Sequence, residues 1–242
     1  MRRFLAGAFL MLTGFSAVSQ TDTATKEKKA PPVTLPRSGD HFVIQLGYTM
    51  WQGKPEGINT GGLSRTANVY FMLDYPFKTN PHWSAAIGAG VGTDNVFFDK
   101  TYIGIKDNTD QIIIRDVSDT NHFKKYKLAT AYLEAPVELR FRSNPDNDAK
   151  SLKFAVGAKV GLLVNAHTKG KNLEDKNGRS IGGYTLKENS KTFFNRNRLA
   201  VTGRVGYGHF SLFTTYQVNT LFKEARGPIV RPLTIGLTIS GL

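Results

Sequence analysis

The chain has 242 residues, a formal net charge of +13, no cysteine, and 40% hydrophobic residues. Disulfide and thiol chemistry are thereby excluded, and the length suits one large all-β domain or two small domains. The basic excess is spread over loops and alternating positions with no basic-aromatic pattern, which argues against nucleic acid and for an anionic membrane surface or plain solubility.

Arg2 and Arg3, the apolar run over 4–12 and the small-x-small Ala17-Val18-Ser19 predict a signal peptide over 1–19. The rival, a helical anchor, needs ~20 apolar residues. With no cysteine at the expected cleavage site, no lipid anchor is expected on the exported protein. Residues 20–40 are polar, charged and proline-bearing, which predicts a flexible periplasmic lead-in, and the ordered domain is expected over 41–242.

Eight segments then alternate with a period of two. The first has Phe42, Ile44, Leu46, Tyr48 and Met50 on one face and Gln45, Gly47 and Thr49 on the other. The second sets Ala67, Val69, Phe71, Leu73 and Tyr75 against Asn68, Tyr70, Met72 and Asp74, and the third sets Trp83, Ile87 and Val91 against Ser84, Gly88, Gly90 and Gly92. The fourth, around 132–141, is the sharpest: Leu133, Ala135, Val137, Leu139 and Phe141 oppose Glu134, Pro136, Glu138 and Arg140. In the fifth, Leu152 to Val164 oppose Lys153, Gly157, Lys159 and Gly161. A turn at Gly208-His209 pairs the sixth and seventh segments, Tyr207 with Phe210, Val205 with Leu212, Val201 with Tyr216 and Leu199 with Val218. Leu233, Ile235, Leu237 and Ile239 close the chain in the eighth.

A small eight-stranded barrel has an interior only wide enough for its own side chains. The face rich in glycine and alanine, with Asp74, Glu134, Glu138, Arg140, Lys153, Lys159, Arg198 and Arg204, fits that lumen, and the bulky apolar face fits lipid. A soluble barrel would reverse the faces and leave glycine on its solvent side without a reason. Connections at 51–66, 93–127, 165–195 and 219–230 are long, and those at 78–82, 143–151 and 208–209 are short. That alternation is the pattern of outer-membrane barrels, with long loops outside and short periplasmic turns. The sequence therefore predicts an all-β, single eight-stranded antiparallel up-and-down transmembrane barrel in the outer membrane of a Gram-negative bacterium, monomeric and in contact with outer-membrane lipid.

Tyr48, Trp51, Tyr75, Phe77, Trp83, Phe141 and Tyr207, near segment ends, are expected as interfacial girdles. The charged inward residues are expected to pair, Glu134 with Lys159 and Glu138 or Arg140 with Lys153, with Arg198 and Arg204 in the same layer. An unpaired buried charge is costly. The pairing predicts a salt-bridged plug; an ion-conducting pore lined by the same groups is the alternative.

Pro136 cannot donate to the ladder and is expected to mark a bulge beside Glu134. Residues 102–105 and 111–114 flank a turn-like Asp107-Asn108-Thr109-Asp110 and predict a hairpin above the membrane, its Ile112-Ile113-Ile114 run packing on a neighbouring loop or meeting a partner. The Lys-, Gly- and Asn-rich 165–195 connection fits contact with anionic lipopolysaccharide as well as it fits a solvated loop.

Chemistry-bearing motifs are sparse, and no catalytic residue, metal site or cofactor is expected. Gly88-Ala89-Gly90-Val91-Gly92 sits in an alternating strand with no following helix, so it is not a nucleotide loop. Histidines 41, 82, 122, 167 and 209 lack metal-ligand spacing; His122 and His167 in outward loops keep an outer-membrane lipid hydrolase open as an alternative.

The stretch Tyr132 to Arg140 (YLEAPVELR), the fifth segment SLKFAVGAKVGLLV and the closing RPLTIGLTISGL resemble the Bacteroidetes-type outer-membrane β-barrel domain that includes the PorT-like proteins. The resemblance covers about 41–242 and implies an envelope or protein-secretion accessory role with envelope or secretion-system proteins as partners. One departure is the final Leu242, where many barrels end in an aromatic that the insertion machinery reads.

Overall fold

The computed structural model describes residues 41–241; the expected signal peptide, the lead-in and Leu242 lie outside the described residues. Eleven strands follow in chain order: β1 (Phe42–Gln52), β2 (Arg65–Pro76), β3 (Trp83–Phe98), β4 (Thr101–Gly104), β5 (Ile113–Asp116), β6 (His122–Arg142), β7 (Leu152–Glu174), β8 (Ser180–Asn189), β9 (Asn197–Tyr207), β10 (Phe210–Gln217) and β11 (Arg231–Ser240). Eight of them form a closed antiparallel ring, β6-β3-β2-β1-β11-β10-β9-β7, which β6 and β7 complete by pairing with each other. Closure removes every unpaired edge from the ring, as a sheet in hydrocarbon requires.

The register follows from the period-two pattern. Tyr207 pairs with Phe210, Val205 with Leu212 and Val201 with Tyr216, and the Val218 amide donates to the Leu199 carbonyl at 2.8 Å. A one-residue slip would turn every apolar residue inward. With this register, Leu46, Val69, Ile87, Leu133, Val160, Leu212 and Leu237 all face outward and exposed, while the polar and charged residues between them are buried. The ten residue steps from Ala131 to Phe141 of β6, at ~3.3 Å each and tilted by about 40°, give an outward apolar belt about 25 Å tall.

Aromatics crowd the short-turn end of the belt. Tyr75, Trp83 and Tyr207 are exposed there, with Phe42, Phe77 and Phe210 beside them. Phe141 packs edge-on against Trp83 and at a tilt against Phe154, its ring centre 5.2 and 6.3 Å from theirs. Tyr48 faces outward toward the other end. Trp51 corrects the expected girdle: it is buried, packed edge-on against Phe98 and Phe222. Its neighbour Met50 shares the outward face of β1, so strand parity sends Trp51 inward.

Two further expectations are corrected. Pro136 lies opposite Lys159 with no shift of register. Toward β3 the ladder is interrupted instead, running from Trp83–Phe141 to Ile87–Val137 and resuming at Gly90–Glu134. The bulge falls elsewhere, where Ala131 pairs with Asn165 but Tyr132 with Leu163, leaving Val164 as the extra residue. It exchanges the faces of β7: even-numbered residues point outward below it and odd-numbered ones above. The 165–195 connection is also not a loop throughout. β7 continues to Glu174 paired with β6, and β8 returns along its other edge.

The β4–β5 hairpin stands over the long-connection end as expected, with Thr101 paired to Asp116 and Gly104 to Ile113. Ile112 is buried and its amide donates to the Arg226 carbonyl at 2.9 Å, so the isoleucine run packs onto the neighbouring connection.

Candidate functional site

The inward face of the ring carries a column of charge placed strand by strand. Glu134 of β6 lies opposite Gly161 of β7 and Gly90 of β3. A Cβ at Gly92 would stand 2.7 Å from its Oε2, and one at Gly161 would stand 3.1 Å from its Cγ, so the glycines make the room this carboxylate occupies. Lys159 Nζ lies 3.2 Å from Glu134 Oε2, and Arg198 Nη1 donates to Oε1 at 3.1 Å. The Tyr70 hydroxyl donates to Oε2 at 2.5 Å and accepts from Lys159 Nζ at 3.0 Å. Arg198 also reaches Asp94 at 2.9 Å, and its guanidinium carbon lies 4.8 Å from the centre of the Tyr132 ring.

Nearer the short turns, Glu138 accepts from Arg204 Nη2 at 2.6 Å and from Arg140 Nε at 2.9 Å. Below that, Asp74 accepts from the Ser84 hydroxyl at 2.7 Å and lies 3.7 Å from Arg140 and 3.4 Å from Arg142. Arg142 also pairs with Asp148 of the 143–151 turn, and Lys153 Nζ is 4.0 Å from the same carboxylate. All eight charged residues proposed for the lumen from sequence thus face it. Each is within 4 Å of an opposite charge.

The sequence reading missed Asp94, Tyr70, Tyr132, Arg142 and Asp148. Tyr70 was already legible on the polar face of the second segment. Asp94 continues the inward parity of Gly90 and Gly92, and Arg142 continues that of Glu138 and Arg140. Asp94 sits between Thr93 and Asn95, and Arg142 is followed by Ser143, so no apolar neighbour extends the alternation past either one.

Toward the long connections the polar column gives way to threonines, Thr49 bonded to both Thr66 and Thr234. Above these lies an apolar cluster that includes Trp51, Val96, Phe98, Ile103, Ile105, Leu128, Phe193, Phe194, Leu221 and Phe222. The loops that supply it are stitched by backbone and side-chain bonds. Phe194 bridges to Phe222, and Asn195 Nδ2 donates to the carbonyls of Thr220 and Phe222 at 2.7 and 2.9 Å. One cavity beside Arg140, Arg142, Lys153 and Arg204 and another beneath this lid at Thr49, Trp51, Asp94 and Leu221 measure about 10 Å³ each, room for one water at most.

His122 Nδ1 lies 3.0 Å from the Thr120 carbonyl and His167 Nδ1 lies 2.9 Å from Asn165 Oδ1. Among the described residues neither histidine has a serine hydroxyl as partner, and no three metal-ligating side chains converge.

The model of the outer membrane protein beta-barrel domain matches residues 34–227. Among solved structures, the chain is similar to Ail, the attachment invasion locus protein of Yersinia pestis, at 15% identity and a TM-score of 0.34, over 84% of this chain and 98% of that one. Ail in complex with the heparin analogue sucrose octasulfate gives 13% identity and a TM-score of 0.30 over the same shares. The chain matches no curated protein. An outward apolar belt on a closed ring, a charged and filled lumen, and a family match over most of its length together place this chain in the outer membrane protein beta-barrel domain family, in the outer membrane of a Gram-negative bacterium.

Proposed function

We propose that the protein is a closed, non-enzymatic barrel that serves the envelope through its surfaces, as an accessory to protein secretion of the PorT-like kind. The observation that carries the closed state is the filled lumen. Asp74, Glu134 and Glu138 are paired inside the ring to cations of β6, β7 and β9, and the apolar lid covers the column above them. Opening a path for ions would separate charges whose individual desolvation costs several kcal/mol.

The purified chain in a planar bilayer is expected to give no reproducible conductance steps, and a steady conductance would overturn the plug. Deleting the chain from its own bacterium is expected to deplete a subset of secreted proteins from the medium, and an unchanged secreted set would refute the accessory role.

A further inference from the structure

The aromatic crowding at the short-turn end of the belt thins toward the other end, where Tyr48 and Tyr184 are the exposed aromatic residues among the described strands and cations gather on the outward face. Lys127 of β6 is directly opposite Lys169 of β7, and Lys169 is directly opposite Lys187 of β8. Like charges facing each other across paired strands are destabilising. None of the three is ion-paired with a described carboxylate, unlike Lys124, whose Nζ meets Glu174 at 3.1 Å. We propose that this row binds the phosphate groups of outer-leaflet lipopolysaccharide, with Lys127, Lys169 and Lys187 as the phosphate ligands and Arg65 and Phe97 forming one flank.

Three features support a phosphate ligand set. Lys127 is held in place by the Asn95 side chain, whose Oδ1 accepts from its Nζ at 2.6 Å. Phe97 is flanked by charge, with the Arg65 guanidinium carbon and Lys127 Nζ each 5.8 Å from its ring centre. An outward groove of about 160 Å³ beside Lys127 is lined by Phe97, Tyr126, Lys125, Lys127, Lys169 and Lys171, with Lys187 next to Lys169 on the adjoining strand. The bulge at Val164 is what puts Lys169 on this face; without the parity change it would point to the axis.

Height selects the occupant. Lys127 lies four residues beyond Ala131, the top of the belt on β6, which at ~3.3 Å per residue and about 40° of tilt is about 10 Å higher. That is the headgroup zone of the leaflet touching the belt. One carboxylate, Asp99, lines the adjoining groove of about 440 Å³ together with Arg65 and Lys125, so the face keeps a net positive charge.

The test uses the full mature chain refolded in nonionic detergent and fluorescent diphosphoryl lipid A as probe. Each lysine near an anionic surface is worth about fivefold, so the Lys127→Gln/Lys169→Gln/Lys187→Gln variant is expected to bind on the order of a hundredfold more weakly. A variant with the same charge loss elsewhere, Lys54→Gln/Lys150→Gln/Lys191→Gln, is expected to bind like wild type. Boiled and unboiled gel mobility verifies that both variants are folded. Equal binding by the row variant, equal loss in the control variant, or undiminished binding of fully dephosphorylated lipid A would each overturn the proposal. So would binding of a soluble sulfated polysaccharide with none of lipid A, which would assign the row to a glycan.

Discussion

Glu134 is the acceptor for two cations and one hydroxyl in a space cleared by glycines, so its replacement measures what the column contributes. Glu134→Gln leaves Lys159 and Arg198 short of a compensating charge and is expected to cost about 3–5 kcal/mol. The readout is a lower temperature for the shift between folded and unfolded gel bands, set against Glu56→Gln on an exposed loop; matching temperatures would show the ion pairs to be energetically idle. Tyr102 offers a pH test outside the membrane. Burial, then the hydrogen bond to Asp107, pushes its hydroxyl from an ordinary 10.0 up to about 12. The folded value lies above the unfolded one, so the stabilisation it gives the hairpin is complete below about pH 10 and disappears as pH rises through about 12. The phenolate absorbance that Tyr102→Phe removes should titrate near 12, and a midpoint near 10 would mean the hairpin does not enclose it.

At the scale of the element, β6 is two strands in one. From Ala131 to Phe141 it crosses lipid, and Val137→Arg on its outward face is expected to cost about 2–4 kcal/mol, read by denaturant titration in lipid vesicles against Lys124→Arg above the belt. A cost near zero would place Val137 away from hydrocarbon. The lower half was legible in sequence because lipid on one side and charge on the other enforce a strict alternation. Above Ala131 water replaces lipid, both faces tolerate polar side chains, and pairing continues without a pattern to announce it. For that reason the continuation of β7 and the whole of β8 read as loop. The Val164 bulge compounds this by reversing parity in mid-strand. Trp51 misleads for a different reason: it sits near a strand end, where girdle aromatics gather, but Met50 beside it takes the outward face and parity turns the indole inward. Pro136 announces a missing donor, but the chain accommodates it by omitting ladder pairs with β3, a solution that a single sequence does not reveal.

For the molecule as a whole, the charged residues chosen from sequence do meet on one axis because closure brings β2, β6, β7 and β9 around it, a consequence of the eight-strand count. The lid was not legible. Its side chains come from β1, β3, β4, β6, β7 and several connections, and nothing in any one stretch says that Trp51, Ile103, Phe194 and Leu221 will share one cluster. Because that cluster is shared, the outer surface of this protein is not a set of independent appendages. A variant that trades one loop for a relative's removes rings on which the other loops rest, so diversification of the exterior has to proceed by coordinated replacement, and antibodies raised against the intact cell surface should recognise the assembled crown and ignore its isolated peptides.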